Sequence, residues 1–102
     1  MKEIIKDGGN IHVKLDGDLT STKNVTFETE IISLIHTETP REIIINMDGV
    51  NMMDSYGIRQ LLAIHTAIDG INGTLKVINL SEDIFGLLKY MRLDTHFYIS
   101  KK

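Results

Sequence analysis

The chain has 102 residues, no Cys, no Trp and one Pro, and its 14 acidic and 11 basic side chains give a net charge of −3. This length suits one domain, and the lack of cysteine excludes a disulfide framework and a Cys-based zinc site. The mildly acidic balance argues against a broad surface for DNA or RNA. The longest apolar run is far short of the ~20 residues of a membrane span, and the N-terminus lacks a signal peptide's apolar core. We therefore expect a single domain over residues 1–102, a cytoplasmic location, and neither a nucleic-acid nor a membrane partner.

The first part of the chain predicts a β-hairpin. A turn cluster at residues 7–10 separates two short runs, and in the second run Ile11, Val13 and Leu15 alternate with polar residues. Alternation with a period of two indicates a strand with one buried face. The glycine pair in the turn favours a tight hairpin connection between the two strands.

The middle of the chain predicts a helix and then a buried strand. Apolar side chains recur at near-helical spacing over residues 22–37, after the candidate N-cap hydroxyls at 20–22 and before Pro40. The run at 43–47 is almost entirely apolar and rich in isoleucine. Such a run is typical of a central strand that is buried on both faces.

The remaining residues predict two more helices and two more strands. A helical stripe begins after Asp54 and Ser55, and a third helix begins at Ser81, with strands at 75–78 and 97–99. Strands separated by helices usually run parallel and connect by right-handed crossovers. We therefore predict an α/β domain in the order β-β-α-β-α-β-α, with a mixed four- to five-stranded sheet, an N-terminal hairpin and about three helices.

The segment at residues 52–58 lies between the buried strand and the second predicted helix. In open α/β sheets, functional residues gather beyond the carboxyl ends of the strands. Ser55 at the helix start would lie beside free backbone N–H groups, where an added phosphate would be tolerated. An Asp-Ser pair in this place also serves as an ordinary helix cap, so position alone leaves both interpretations open.

The motif Met53-Asp54-Ser55-Tyr56-Gly57-Ile58 resembles the phosphorylation-site motif of STAS domains, the anti-sigma factor antagonists of bacteria. That motif runs apolar-Asp-Ser-Ser/Ala-Gly-apolar, and Ser55 falls on its phosphoacceptor. Four other segments resemble family motifs in the same order along the chain: Leu15-Asp16-Gly17-Asp18-Leu19 and residues 42–48, 71–75 and 84–93. Three positions depart from the pattern: Tyr56 replaces a small residue, Thr20 stands where many members have Asp, and Asn72 replaces the first glycine of a Gly-Gly turn.

The resemblance implies a STAS-type domain that acts as an anti-sigma factor antagonist, is not an enzyme and needs no cofactor. In that family the unphosphorylated protein binds an anti-sigma factor, often itself a serine kinase, and this binding releases a sigma factor for transcription. The kinase phosphorylates the serine and ends the interaction, and a serine phosphatase restores it. The resemblance therefore implies that Ser55 is phosphorylated and that the partners are a kinase-type anti-sigma factor and a serine phosphatase.

The expected partner-binding surface surrounds Ser55 and comprises Asp16, Asp18, Met52, Asp54, Tyr56 and Gly57. Met52 and Tyr56 are favoured because Met is an adaptable contact residue and Tyr is common in interface cores. Asp54 would orient the local backbone or contact the partner. Gly57 would permit close approach of the partner backbone, since it has no side chain, or it would simply meet a requirement for a small residue near the helix start.

The two aspartates of the early motif are weaker members of this set. Asp16 and Asp18 would flank the surface because the end of the first strand lies near the phosphorylation site in the related fold. A simple polar turn remains the alternative, since Asp and Gly favour turns in any case.

Three other functions stay open at this point. A STAS domain can serve as a scaffold without a phosphorylation cycle, and Tyr56 adds weight to that alternative. A phosphoaspartate receiver would use Asp48 at a strand end, but it needs about five parallel strands and a Lys after the last one. A nucleotide-binding role lacks its Gly-rich loops, and the four histidines lack metal-ligand spacing.

Overall fold

The computed structural model describes residues 2–102, which form one five-stranded sheet and three helices. The strands are β1 (Lys2–Asp7), β2 (Asn10–Asp16), β3 (Glu42–Gly49), β4 (Thr74–Leu80) and β5 (Tyr98–Lys101). The helices are α1 (Glu28–Glu38), α2 (Ser55–Asp69) and α3 (Glu82–Tyr90), and a short 3-10 turn at Leu93–Thr95 precedes β5. The predicted mixed sheet and element order are confirmed. Met1, the first residue of the predicted domain, lies outside the described residues.

The strands follow one another across the sheet in chain order, β1-β2-β3-β4-β5. The hairpin of β1 and β2 is antiparallel, with Gly8 at a φ of 63° in its turn, and the four strands from β2 to β5 run parallel. Each crossover moves one place in the same direction. Because crossovers are right-handed, all three helices pack on the same face of the sheet.

The core lies between that face and the helices. The register places Val13, Ile45 and Val77 side by side on three neighbouring strands, and all three are buried. They join one cluster with helix residues such as Ile31 of α1 and Ile64 of α2.

The opposite face of the sheet carries no helix among the described residues. There Ile44 of β3 is only half-buried, whereas Ile43 and Ile45 on the core face are 0% exposed. The prediction that this strand is buried on both faces was therefore wrong. The apolar run of β3 reflects its central position between β2 and β4, and no second layer of helices covers it among the described residues.

The strand order also bears on the receiver alternative. Doubly wound sheets of the receiver type have an order that reverses at a switch point and places helices on both faces. The parallel strands here show no reversal over residues 2–102. The fold therefore argues against a phosphoaspartate site at Asp48.

Helix α1 begins at Glu28, six residues later than the predicted start of 22. The cause is a side chain from another helix. Gln60 of α2 is fully buried, and its Oε1 accepts hydrogen bonds from the backbone N–H groups of Phe27 (2.8 Å) and Glu28 (3.2 Å). Its Nε2 donates to the carbonyl of Val25 at 3.0 Å. The side-chain amide of Gln60 thus replaces the local hydroxyl cap expected at 20–22. No sequence pattern signals this long-range contact.

This contact generates a stability prediction. Gln60→Leu keeps a side chain of similar size but leaves buried backbone groups without partners, so we expect the free energy of unfolding to fall by about 2–3 kcal/mol. Urea denaturation measures it. The control on the same helix is Thr66→Val, an exposed change that should alter stability by less than about 0.5 kcal/mol. Equal stabilities of the two variants would contradict the capping role of Gln60.

Candidate functional site

Two loops run side by side beyond the carboxyl ends of β2 and β3. The N–H of Gly17 donates to the carbonyl of Gly49 at 3.0 Å, and the N–H of Leu19 donates to that of Met52 at 2.9 Å. Leu19 and Met53 also form a parallel bridge. Parallel strands end at the same edge of a sheet, so the loops that leave them meet there. This pairing brings the early Asp-rich motif beside the start of α2.

Asp54 caps α2 and ties it to the first loop. Its Oδ1 accepts the N–H of Tyr56 at 2.9 Å, and its Oδ2 accepts the N–H of Ser21 at 3.0 Å and the hydroxyl of Ser21 at 3.1 Å. These donors, the Ser21 N–H foremost, lower the pKa of the Asp54 carboxyl, because hydrogen bonds to a carboxylate favour its charged form. The side chain therefore stays ionised and orients two backbone segments at once.

Ser55 is the first residue of α2 and is exposed. Within residues 2–102, no side-chain hydrogen bond engages its hydroxyl. It borders a shallow groove of about 410 Å³, lined by Ser21, Ser55, Tyr56, Ile58, Arg59 and Leu62. The hydroxyl is thus free for chemistry while the residues on either side are held in place.

The side chain of Tyr56 packs against neighbouring residues instead of projecting into solvent. Its hydroxyl is hydrogen-bonded to Thr26 Oγ1 at 2.8 Å, and the guanidinium carbon of Arg59 lies 5.3 Å from its ring centroid. The ring is half-buried as a result. Tyr56 therefore lines the groove together with Ser55 and anchors the segment that leads into α1.

The other predicted residues fall in different environments. Met52 is 59% exposed in the loop before α2, while Gly57 is buried. Asp18 is half-buried one residue before the Leu19 bridge, and Asp16 is exposed at the end of β2. The structure therefore brings all of these residues to one edge of the sheet, with Gly57 beneath the surface.

Gly57 has a packing role in which one of its neighbours, Leu19, is distant in the chain. A Cβ at this position would lie 2.8 Å from the Leu19 carbonyl oxygen and 2.8 Å from Met53 Cγ. Real side chains do not tolerate such distances to backbone atoms. The absence of a side chain at Gly57 thus lets the first loop lie directly on α2.

Sequence reasoning missed four contributors to this site: Ser21, Thr26, Arg59 and Gln60. Arg59 had a local signal, because it lies one helical turn after Ser55 and shares its helix face. Ser21 and Thr26 had none, since their partners are about 30 residues away in the chain.

Two remaining features bear on other functions. Among residues 2–102, no group of three or more His, Asp or Glu side chains is placed to hold a metal ion. His65 is half-buried, with its ring 5.8 Å from that of His96. None of the helices that the structure describes combines the length and apolar character needed to cross a bilayer.

A sequence model of the STAS domain family matches residues 1–102, the whole chain. The chain belongs to the STAS domain family.

Solved STAS-fold structures match this domain closely in backbone but weakly in sequence. SpoIIAA, an anti-sigma factor antagonist, matches in its unphosphorylated form at 16% identity and a TM-score of 0.78, covering 100% of this chain and 89% of SpoIIAA. The phosphorylated form of SpoIIAA from Bacillus matches at 16% identity and a TM-score of 0.77, covering 100% of this chain and 93% of that chain. An anti-sigma factor antagonist from Mycobacterium paratuberculosis matches at 17% identity and a TM-score of 0.84, with coverages of 100% and 86%.

A structure of a different kind also matches. A sulfate transporter family protein from Wolinella succinogenes is 15% identical, with a TM-score of 0.75 and coverages of 94% and 80%. At these identities the comparisons establish the STAS fold, and the function of this STAS domain has to be argued from its own residues.

The close contact at Gly57 predicts opposite effects at two helical glycines. Gly57→Ala should destabilise this STAS domain by about 1–3 kcal/mol, because the new methyl group overlaps Leu19 and Met53. Gly86→Ala is the control, since nothing lies within 4 Å of the place that a Cβ would take there. At that position alanine should stabilise α3 by about 0.5–1 kcal/mol. Urea unfolding of both variants measures the difference, and stabilisation by Gly57→Ala would contradict the packing argument.

The Asp54 carboxylate predicts a pH dependence. Its pKa is lower in the folded protein, so its contribution to stability is present above the unfolded-state pKa of about 4 and is lost as the pH falls through the folded pKa. Asp54→Asn retains a capping oxygen but does not titrate in this range. We expect the stability gap between wild type and Asp54→Asn to narrow between about pH 6 and about pH 3. Parallel urea-unfolding profiles across that range would rule out this linkage.

Proposed function

We propose that this STAS domain is a bacterial, cytoplasmic anti-sigma factor antagonist that is switched off by phosphorylation of Ser55. The unphosphorylated form binds an anti-sigma factor with serine kinase activity and thereby releases a sigma factor, and a serine phosphatase reverses the modification. The domain over residues 1–102 acts as a binding module, with no catalytic residue, cofactor, nucleic acid or membrane in its role. The exposed, unengaged hydroxyl of Ser55 directly after the Asp54 cap is the observation that carries this proposal.

The position of Ser55 suits a switch that acts at the surface. A phosphate adds about −1.5 to −2 charge at neutral pH. At the first residue of α2 the added negative charge meets the favourable end of the helix dipole, so the fold tolerates it. The modified surface would lose its partner through charge, bulk and the cost of desolvating the phosphate.

The docking surface that we propose surrounds Ser55 on both loops. Met52, with 59% of its surface exposed, supplies apolar contact area, and the half-buried Tyr56 supplies an aromatic ring. Asp16 and Asp18 add negative charge at the rim, where charge steers association more than it sets affinity. Asp54 and Gly57 support this surface from within, because one holds the first loop and the other gives it room.

A scaffold role without phosphorylation is the second candidate. The similarity to a sulfate transporter family protein favours it, because the same fold occurs there in a different kind of protein. Tyr56 also supports this candidate, because it stands where the family motif has a small residue and its hydroxyl is hydrogen-bonded to Thr26 beside the serine. The two candidates differ in one measurable respect, which is phosphate on Ser55 in the cell.

The test of the proposal is a pull-down from the native cell with phosphorylation-site mapping of the captured domain. We expect an ATP-dependent kinase as partner and phosphate on Ser55. Ser55→Ala should bind and no longer be released by ATP, while Ser55→Asp should lose at least about tenfold in affinity.

Ser33→Asp is the matched control, because it adds the same charge at an exposed position of α1. It should bind as wild type does. A Ser55→Ala protein that is still released by ATP would exclude Ser55 as the switch. Phosphate only on other residues, or a partner without kinase activity, would favour the scaffold.

A further inference from the structure

Arg59 lies one turn after Ser55 on α2 and lines the same groove. Residues four apart on a helix have Cβ atoms about 5–6 Å apart, which is within reach of an arginine side chain. Arg59 is the cation among the six side chains of the groove. It is exposed, and among residues 2–102 it takes part in no ion pair with a carboxylate. Its guanidinium instead rests over the Tyr56 ring at 5.3 Å.

We propose that Arg59 is the positioning residue that receives the phosphate of phosphorylated Ser55 within this domain. The inference rests on the proposed modification of Ser55 and names the side chain that binds the phosphate afterwards. The planar guanidinium fork matches two phosphate oxygens, and such charge-assisted pairs are stronger than the contact of a guanidinium with a half-buried ring at the protein surface. Phosphorylation therefore draws Arg59 away from Tyr56 and onto the phosphate.

The surrounding charges leave Arg59 as the side chain best placed to bind the phosphate. The Asp54 carboxylate next to Ser55 is already occupied by Ser21 and Tyr56, and it repels a phosphate. Lys23 lies on the neighbouring loop, where it does not line the groove. Movement of Arg59 also removes the cation from the Tyr56 ring, whose hydroxyl holds Thr26. The modification would thus change the shape of the docking surface as well as its charge.

The test uses the full chain with phosphoserine incorporated at position 55 during translation, so that no kinase is needed. The 31P resonance of the phosphoserine is followed by NMR between pH 4 and pH 8. In the wild type we expect the titration midpoint to lie a few tenths of a pH unit below that of Arg59→Gln, because the guanidinium favours the dianion. Arg59→Lys, which keeps the charge and loses the fork, should fall between them.

Lys23→Gln is the matched control, because it removes the same charge from a nearby site outside the groove, and its midpoint should equal that of the wild type. The Nε–Hε resonance of Arg59 should shift on phosphorylation and titrate with the phosphate. Equal midpoints for wild type and Arg59→Gln, with circular dichroism showing both folded, would overturn the inference. Failure of the proposed function would instead be seen in the pull-down as absence of phosphate on Ser55, which leaves this NMR result unaffected.

Discussion

The Asp54 carboxylate is the contact on which the site depends. One oxygen holds the N–H of Tyr56 at the start of α2, and the other holds both donors of Ser21 in the first loop. It thereby joins two loops that leave different strands and that also pair through backbone hydrogen bonds. Because its donors favour the ionised form, the carboxylate keeps this geometry at neutral pH. Ser55 follows directly in the chain, so its exposed hydroxyl is presented from a fixed backbone.

The strand order explains why such a site exists at this edge. Parallel strands in chain order place every β-to-α loop at the same end of the sheet and every helix on the same face. The core is therefore one-sided, and the first two of these loops meet as neighbours. Gly57 completes the arrangement, since its lack of a side chain allows Leu19 to contact α2 closely.

The segment between β2 and α1 owes its path to α2 more than to its own sequence. Asp54, Tyr56 and Gln60 each bind it, at Ser21, at Thr26 and across residues 25–28. A change at the start of α2 therefore reaches this segment through three side chains. For that reason a phosphate on Ser55 and a movement of Arg59 would alter the surface of this segment as well as the start of α2.

Much of this protein follows from local patterns in its sequence. The alternation at Ile11, Val13 and Leu15 identified a strand, the spacing after Ser55 identified α2, and Ser81 marked the start of α3, where its hydroxyl accepts the N–H of Ile84. These features depend on neighbours within one turn or one pleat, so a sequence can encode them directly. The motif around Ser55 likewise pointed to the family that the whole chain matches.

Other features required the tertiary structure, because their partners are distant in the chain. The start of α1 depends on Gln60, the place of Gly57 depends on Leu19, and the orientation of Tyr56 depends on Thr26. The half-buried state of Ile44 depends on where three helices pack and not on its own strand. The sequence by itself thus determined the elements, their order and the candidate serine. Only the folded chain decided which side chains surround that serine, since this is set by long-range contacts that no local pattern records.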